Sequence, residues 1–300
     1  MQILTSVGFR QLKTDDCVHF MLRLKPDIVV GLGDIAYGDK PGQRRIDKMS
    51  ERTERWTREL VEAKRADNKL PTGNTSHFFA PILPISREIQ CLYLELLASD
   101  MQSTISGLAI YSADSLADLP EPLISLPRLS FTEPSTPHIL LREIHRGIDI
   151  FTIPFINAAT DAGIALDFQF PAPPHPPALP NPHTASSTAT PSPPKPLGID
   201  MWLPEHTTNL SPLHHNCKCY TCTTHHRAYL QHLLSAKEML AWVLLQVHNL
   251  RIMDAFFSGV RDSIGTGSFE KDRDVFRKVY EAELPEKTGQ GPRYVFYPIL

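Results

Sequence analysis

The chain has 300 residues, 42% of them hydrophobic, and a formal net charge of −3. That length suits one large domain or two small ones, and the charge balance excludes global polyanion binding, so any nucleic-acid contact needs a local patch. The start, MQILTSVGFRQLKTDD, has no apolar run of signal-peptide length, and no stretch approaches the roughly 20 apolar residues of a membrane span, which predicts a soluble intracellular protein.

Residues 26–32, PDIVVGL, form a short apolar run between Pro and Gly and read as a buried parallel strand. VVGLGDIA contains G-x-G-x-x-A (Gly31, Gly33, Ala36), but a dinucleotide site needs a helix to open there, and the chain continues into a turn instead. After GDKPG (38–42), a helix is predicted over about 43–66, with Ile46, Met49, Thr53, Trp56 and Leu60 at alternating three- and four-residue steps. Its other faces carry Glu51–Arg55 and Glu54–Arg58 at i,i+4 and read as a solvated helix surface, not an RNA-binding arm. Strands follow at FFAPILPI (78–85), SGLAIYS (106–112), RLSF (128–131) and GIDIFTIPF (147–155), with helices near 86–99 and 135–146. Alternating strands and helices predict a parallel α/β architecture, and the spacing suits a (β/α) barrel better than a Rossmann half.

At 171–196 the chain turns to PAPPHPPALPNPHTASSTATPSPPKP, which is poor in charge and in large apolar residues and predicts a disordered insertion. Order resumes at GIDMWLP (198–204). A long helix is predicted over about 225–249, with Leu230, Leu233, Leu234, Leu240, Leu244 and Val247 on its buried side. The segment beyond 265 is polar and charged and ends in YVFYPIL, and sequence alone does not position it.

Cys17 and Cys91 lie in apolar surroundings and read as core residues. The other three cysteines form C-x-C-x-x-C: Cys217, Cys219 and Cys222. In a reducing compartment such a cluster is a metal site sooner than a disulfide framework, and no strand precedes it as a thioredoxin-like motif requires. Zinc takes four N/S ligands, so a fourth donor is needed. His225 and His226 follow too closely, at the start of the next helix, and His248 is the better candidate. A continuous helix of roughly 24 residues would carry His248 about 35 Å away. A bend near Ser235–Ala236 would bring it back. Four protein ligands leave no open position, so the site is predicted to be structural.

The segment SPLHHNCKCYTCTTHHRAYLQHLLSAKEMLAWVLLQVHN resembles the zinc region of the tRNA-guanine (queuine) transglycosylases. Arg227-Ala228-Tyr229 and His248-Asn249 fit that family's spacing, and PDIVVGLGD, ERTERW (51–56), SGLAI (106–110) and RGIDIF (146–151) follow in its order, so the resemblance covers about 20–265 apart from the Pro-rich insertion. It implies a (β/α)8 TIM-barrel fold with a C-terminal zinc-binding subdomain, with Cys217, Cys219, Cys222 and His248 as the metal ligands. Family barrels carry a longer segment before the strand matching PDIVVGL than the 25 residues here, which implies an N-terminally truncated barrel. The implied organisation is a partial barrel at 1–170, the insertion at 171–197, the zinc subdomain with closing barrel helices at 198–265, and a tail at 266–300.

Departures from the family pattern point to function. Catalytic members carry a nucleophilic aspartate directly after the segment matching RGIDIF, where this chain has Thr152. A threonine hydroxyl without a neighbouring base is no substitute. The run that grips the anticodon loop is replaced by PFINAATDAG (154–163), which has no cation. The base-recognition carboxylate matches Gly33, with Asp34 beside it pointing elsewhere, and a base-contacting glutamine matches Leu83. The resemblance therefore implies no catalytic residues and one structural Zn2+. It implies the non-catalytic subunit, fungal type, of the eukaryotic heterodimer, which works with a catalytic subunit to insert queuine at wobble position 34 of tRNAs with GUN anticodons. tRNA would be met through that complex. The implied location is cytoplasmic, with the mitochondrial surface as a peripheral variant. The rival readings are a zinc-stapled scaffold or RNA-binding fragment without a transglycosylase partner, and an active transglycosylase using Asp149 or Asp161.

Overall fold

The computed structural model describes residues 2–36, 41–67, 76–173 and 193–292. Most of the Pro-rich insertion (174–192), most of the turn before the long helix (37–40) and the closing YVFYPIL lie outside the described residues. Two compact units are present: residues 1–133 with 142–152, and residues 134–141 with 153–296.

The first unit opens with an antiparallel hairpin of β1 (Gln2–Thr5) and β2 (Gly8–Gln11), then α1 (Thr14–Leu24). Strands and helices then alternate: β3 (Ile28–Val30), α2 (Gln43–Asp67), β4 (His77–Ile82), α3 (Arg87–Ala98), β5 (Gly107–Ile110), α4 (Glu121–Ile124), β6 (Arg128–Ser130), α5 (Pro137–His145) and β7 (Ile150–Phe151). All five of these strands pair in parallel, each with its chain neighbour, in the order β3-β4-β5-β6-β7. A monotonic order is that of consecutive β/α units and differs from the dinucleotide fold, whose order reverses about its first strand. No helix opens over residues 31–36, which removes the phosphate-cradling geometry that the G-x-G-x-x-A match would need. An eight-stranded closed barrel is not present among the described residues.

Strand alternation separates the two faces of this sheet. Phe78, Ala80, Ile82, Leu108 and Ile110 pack with Leu60 and Val61 of α2, Tyr93, Leu94 and Leu97 of α3, and Leu123 of α4. Phe79, Ala109 and Leu129 occupy the opposite face with Val30, Tyr111 and Phe131, and among the described residues no helical one joins them. Gly107 is required there, because a Cβ would strike the Phe79 ring. Of the stripe predicted on α2, Met49, Thr53 and Leu60 are buried and Ile46 and Trp56 half-buried, while Thr57, outside that prediction, is buried as well; Thr57 Oγ1 shares a 3.2 Å hydrogen bond with Tyr93 Oη, and Thr53 Oγ1 accepts from the Asp34 amide at 3.0 Å. Cys17 and Cys91, both expected in the core, are each half-buried, Cys17 packing against the main cluster.

The second unit contains α6 (Phe155–Ala162), β8 (Ile164–Leu166), β9 (Gly198–Asp200) antiparallel to β8, then α7 (Tyr220–Thr224), α8 (Arg227–Ser235), α9 (Met239–Gly265) and α10 (Phe269–Val279). The single helix expected over 225–249 is interrupted at 236–238, where Lys237 takes a left-handed φ of 59°. Leu230, Leu233, Leu234 and Leu244 are buried as expected, but Leu240 is 45% exposed and Val247 38% exposed. The charged C-terminal segment also folds. α10 buries Phe269, Phe276 and Val279, and Phe276 joins an aromatic cluster with Phe168, Phe170 and Phe256. No helix among the described residues is long and apolar enough to cross a membrane.

Candidate metal centre

Cys219 caps the short helix α7, its Sγ accepting from the Cys222 amide at 3.4 Å, so two of the three thiols share one helical turn. Cys217 precedes them, with its amide bonded to the His214 carbonyl at 3.2 Å. His248 comes from α9. The break at 236–238 explains how it arrives: α8 has nine residues, and nine steps separate Met239 from His248, so each leg is about 13.5 Å and the second retraces the first. Thr221 completes the link between α7 and α9 by donating its hydroxyl to the Leu244 carbonyl at 2.7 Å.

The ligand atoms of Cys217, Cys219, Cys222 and His248 all lie within 4.8 Å of one another. His248 Nδ1 is 3.7 Å from Cys219 Sγ and 3.3 Å from Cys222 Sγ. Tetrahedral zinc, with Zn–S near 2.3 Å and Zn–N near 2.0–2.1 Å, separates its ligand atoms by roughly 3.5–3.8 Å, so the donor set and spacing fit a four-coordinate ion. His248 is wholly buried, and its Nε2 lies 2.9 Å from the Leu166 carbonyl. A carbonyl only accepts, so Nε2 carries the proton and Nδ1 presents its lone pair to the thiols.

Without a metal the same four groups hold a proton. Burial pushes the His248 imidazole down, but hydrogen bonds with Cys217, Cys219 and Cys222 outweigh it and raise it to about 11. For Cys219, burial pushes up, and hydrogen bonds with His248, the Cys222 amide and Cys217 bring it down to about 6. A cluster that stabilises thiolate around a positive charge can hold a metal ion in place of that charge.

His225 and His226 stand apart from the cluster. His226 caps α8, its Nδ1 accepting from the Tyr229 amide at 3.1 Å, and the His225 ring stacks on Tyr229 at 4.8 Å. Tyr220, 62% exposed, meets His225 edge-on at 5.6 Å, so an aromatic surface borders the cysteine loop. A second exposed surface was not foreseen. Met239, Val243, Val247 and Leu250 form one stripe along α9 and line a groove of about 540 Å³ with Asn157, Thr160 and Asp161 of α6. Val247 was expected on the buried side of its helix and is 38% exposed.

Thr152 and Asp149 are otherwise engaged. Thr152 is exposed and donates its hydroxyl to the Ser130 carbonyl at 3.1 Å. The Asp149 carboxylate accepts from the Arg128 amide at 2.9 Å. Arg45 grips Asp34 with two bonds of 2.7 and 2.6 Å, and Arg52 adds a third at 3.1 Å. Burial raises that carboxyl, yet the two guanidiniums hold it below the usual carboxylate range. Leu83 is fully buried.

A sequence profile described as queuine tRNA-ribosyltransferase matches residues 1–282. The chain belongs to that family. It is 36% identical over 294 residues to the queuine tRNA-ribosyltransferase accessory subunit 2 of Schizosaccharomyces pombe, covering 98% of this chain and 62% of that protein. Against the accessory subunit 2 of Aedes aegypti identity is 24%, covering 94% and 66% respectively. Against the queuine tRNA-ribosyltransferase of Thermotoga neapolitana it is 25%, covering 79% and 57%. The chain thus spans about three fifths of the length of these curated relatives. The family match extends the sequence-level resemblance at both ends, and within the family the Cys/His constellation and Thr152 carry the functional reading.

Proposed function

We propose that this chain is a non-catalytic subunit of a tRNA-guanine transglycosylase heterodimer, supporting a catalytic paralogue that exchanges guanine for queuine at wobble position 34 of tRNAs with GUN anticodons. The observation that carries the proposal is Thr152. Where catalytic members present a nucleophilic carboxylate, this chain presents a hydroxyl donating to its own backbone. Asp149, one of the two carboxylates weighed as substitutes, is held by the Arg128 amide and is not poised to replace it. Two relatives whose names denote an accessory subunit support the same reading.

Cys217, Cys219, Cys222 and His248 are the proposed ligands of one structural zinc. When bound, zinc ties α7 to α9 and offers no open position for hydrolysis. The partner surface is proposed at the exposed aromatic residues Tyr220, His225 and Tyr229 and the apolar stripe of α9, which flank this centre. In this proposal the five-stranded sheet is part of a (β/α)8 barrel, the segments 1–170, 171–197, 198–265 and 266–300 are its domain divisions, and the location is cytoplasmic.

Co-expression with a catalytic paralogue tests the assembly. The two chains are expected to co-purify at equal stoichiometry, with one zinc in this chain. The double substitution Cys219→Ser and Cys222→Ser is expected to remove that zinc, lower the melting temperature and abolish co-purification. Unimpaired assembly of the metal-free variant would overturn the role of this region in pairing.

A further inference from the structure

The residue after His248 has no function in the reading above, yet its side chain is fully buried and makes three hydrogen bonds. Asn249 Oδ1 accepts from the Leu166 amide at 2.8 Å, and Nδ2 donates at 3.0 Å to both the Ile164 carbonyl and Thr160 Oγ1. His248 Nε2 meets the carbonyl of the same Leu166 at 2.9 Å. One residue of β8 is therefore gripped on both its peptide groups by two successive side chains of α9. Leu166 is the acceptor that keeps the proton on Nε2 and leaves Nδ1 free toward the thiols, and its own position is fixed by Asn249.

We infer that Asn249 is a positioning residue of the metal centre, acting through Leu166 to set the tautomer and ring orientation of His248. The inference rests on the reading that the cluster holds a metal. A histidine ligand whose distal N–H is held by a fixed acceptor is more basic and better oriented at the metal, and loss of such an outer partner typically costs about 10–100-fold in affinity. Asn249 has a second effect that separates it from an ordinary core amide. Through Thr160 it also fastens α6, so the same side chain serves the metal centre and one wall of the α9 groove.

Chelator competition on the full chain, loaded with Zn2+ or with Co2+ as an absorbing substitute, tests this. Asn249→Ala is expected to weaken metal binding by about 10–100-fold and to alter the cobalt absorption of the tetrahedral site. Thr160→Ala removes only the α6 contact. It is expected to lower the melting temperature while leaving metal affinity within about threefold and the cobalt spectrum unchanged. If Asn249→Ala does not fold, long-range proton–nitrogen spectra of the zinc-loaded wild type decide instead. They are expected to show His248 protonated at Nε2, slow to exchange and metal-bound through Nδ1. An Asn249→Ala protein that is destabilised but keeps wild-type affinity and spectrum, or a His248 bound through Nε2, overturns the inference. A wild-type chain that takes up no metal would overturn the metal reading itself, a separate outcome.

Discussion

Two indole N–H groups converge on the end of α6: Trp202 donates to the Ala162 carbonyl at 3.0 Å and Trp242 to the Asp161 carbonyl at 3.4 Å. They satisfy carbonyls that a helix end leaves without partners, and the turn into β8 is made by Gly163 at a φ of 78°. An added Cβ would meet the Trp202 indole at this glycine. Gly163→Ala combines left-handed strain with a displaced indole and is expected to cost at least about 2 kcal/mol in urea unfolding while the metal content stays at wild type. A loss under half that size would contradict the reading. At this scale the Cys/His cluster was legible because C-x-C-x-x-C is a local pattern with few alternative chemistries. Asn249 was visible only as half of a His-Asn pair. Its partners Thr160, Ile164 and Leu166 lie more than eighty residues away, and no local pattern reports a contact of that range.

Among the elements, the break between α8 and α9 matters most. It brings His248 back to the cysteine loop, while Val243 and Val247 lie on the outward side of α9. The need for a bend near Ser235–Ala236 followed from helix length alone. The exposure of Leu240 and Val247 did not, because both fall at the edge of the apolar face, where periodicity alone does not separate buried from exposed. α10 escaped notice for a related reason: Phe269, Phe276 and Val279 are sparse anchors in a heavily charged segment, and their burial depends on distant aromatics such as Phe168 and Phe170. Val243→Glu tests the stripe. The isolated chain is expected to unfold within about 0.5 kcal/mol of wild type, since Val243 is 55% exposed. Association with the catalytic paralogue, measured by titration calorimetry, is expected to weaken at least about tenfold through burial of an unpaired carboxylate. Unchanged affinity would remove α9 from the interface.

For the molecule as a whole, the sheet and the Cys/His cluster differ in what they retain. The sheet retains the strand order of consecutive β/α units, while the residues matched to nucleophile and base recognition are a backbone-bonded hydroxyl, a glycine and a buried leucine: Thr152, Gly33 and Leu83. The cysteine and histidine constellation is intact. A chain that lost its metal scaffold along with its chemistry would read as decay. Keeping the scaffold is what the proposed partner role requires. The most direct test is guanine exchange with labelled guanine on a tRNA bearing a GUN anticodon, using this chain alone, the catalytic paralogue alone, and the two together. The account predicts no incorporation by this chain alone and faster incorporation by the pair than by the paralogue by itself. Incorporation by the purified chain without a partner would contradict it.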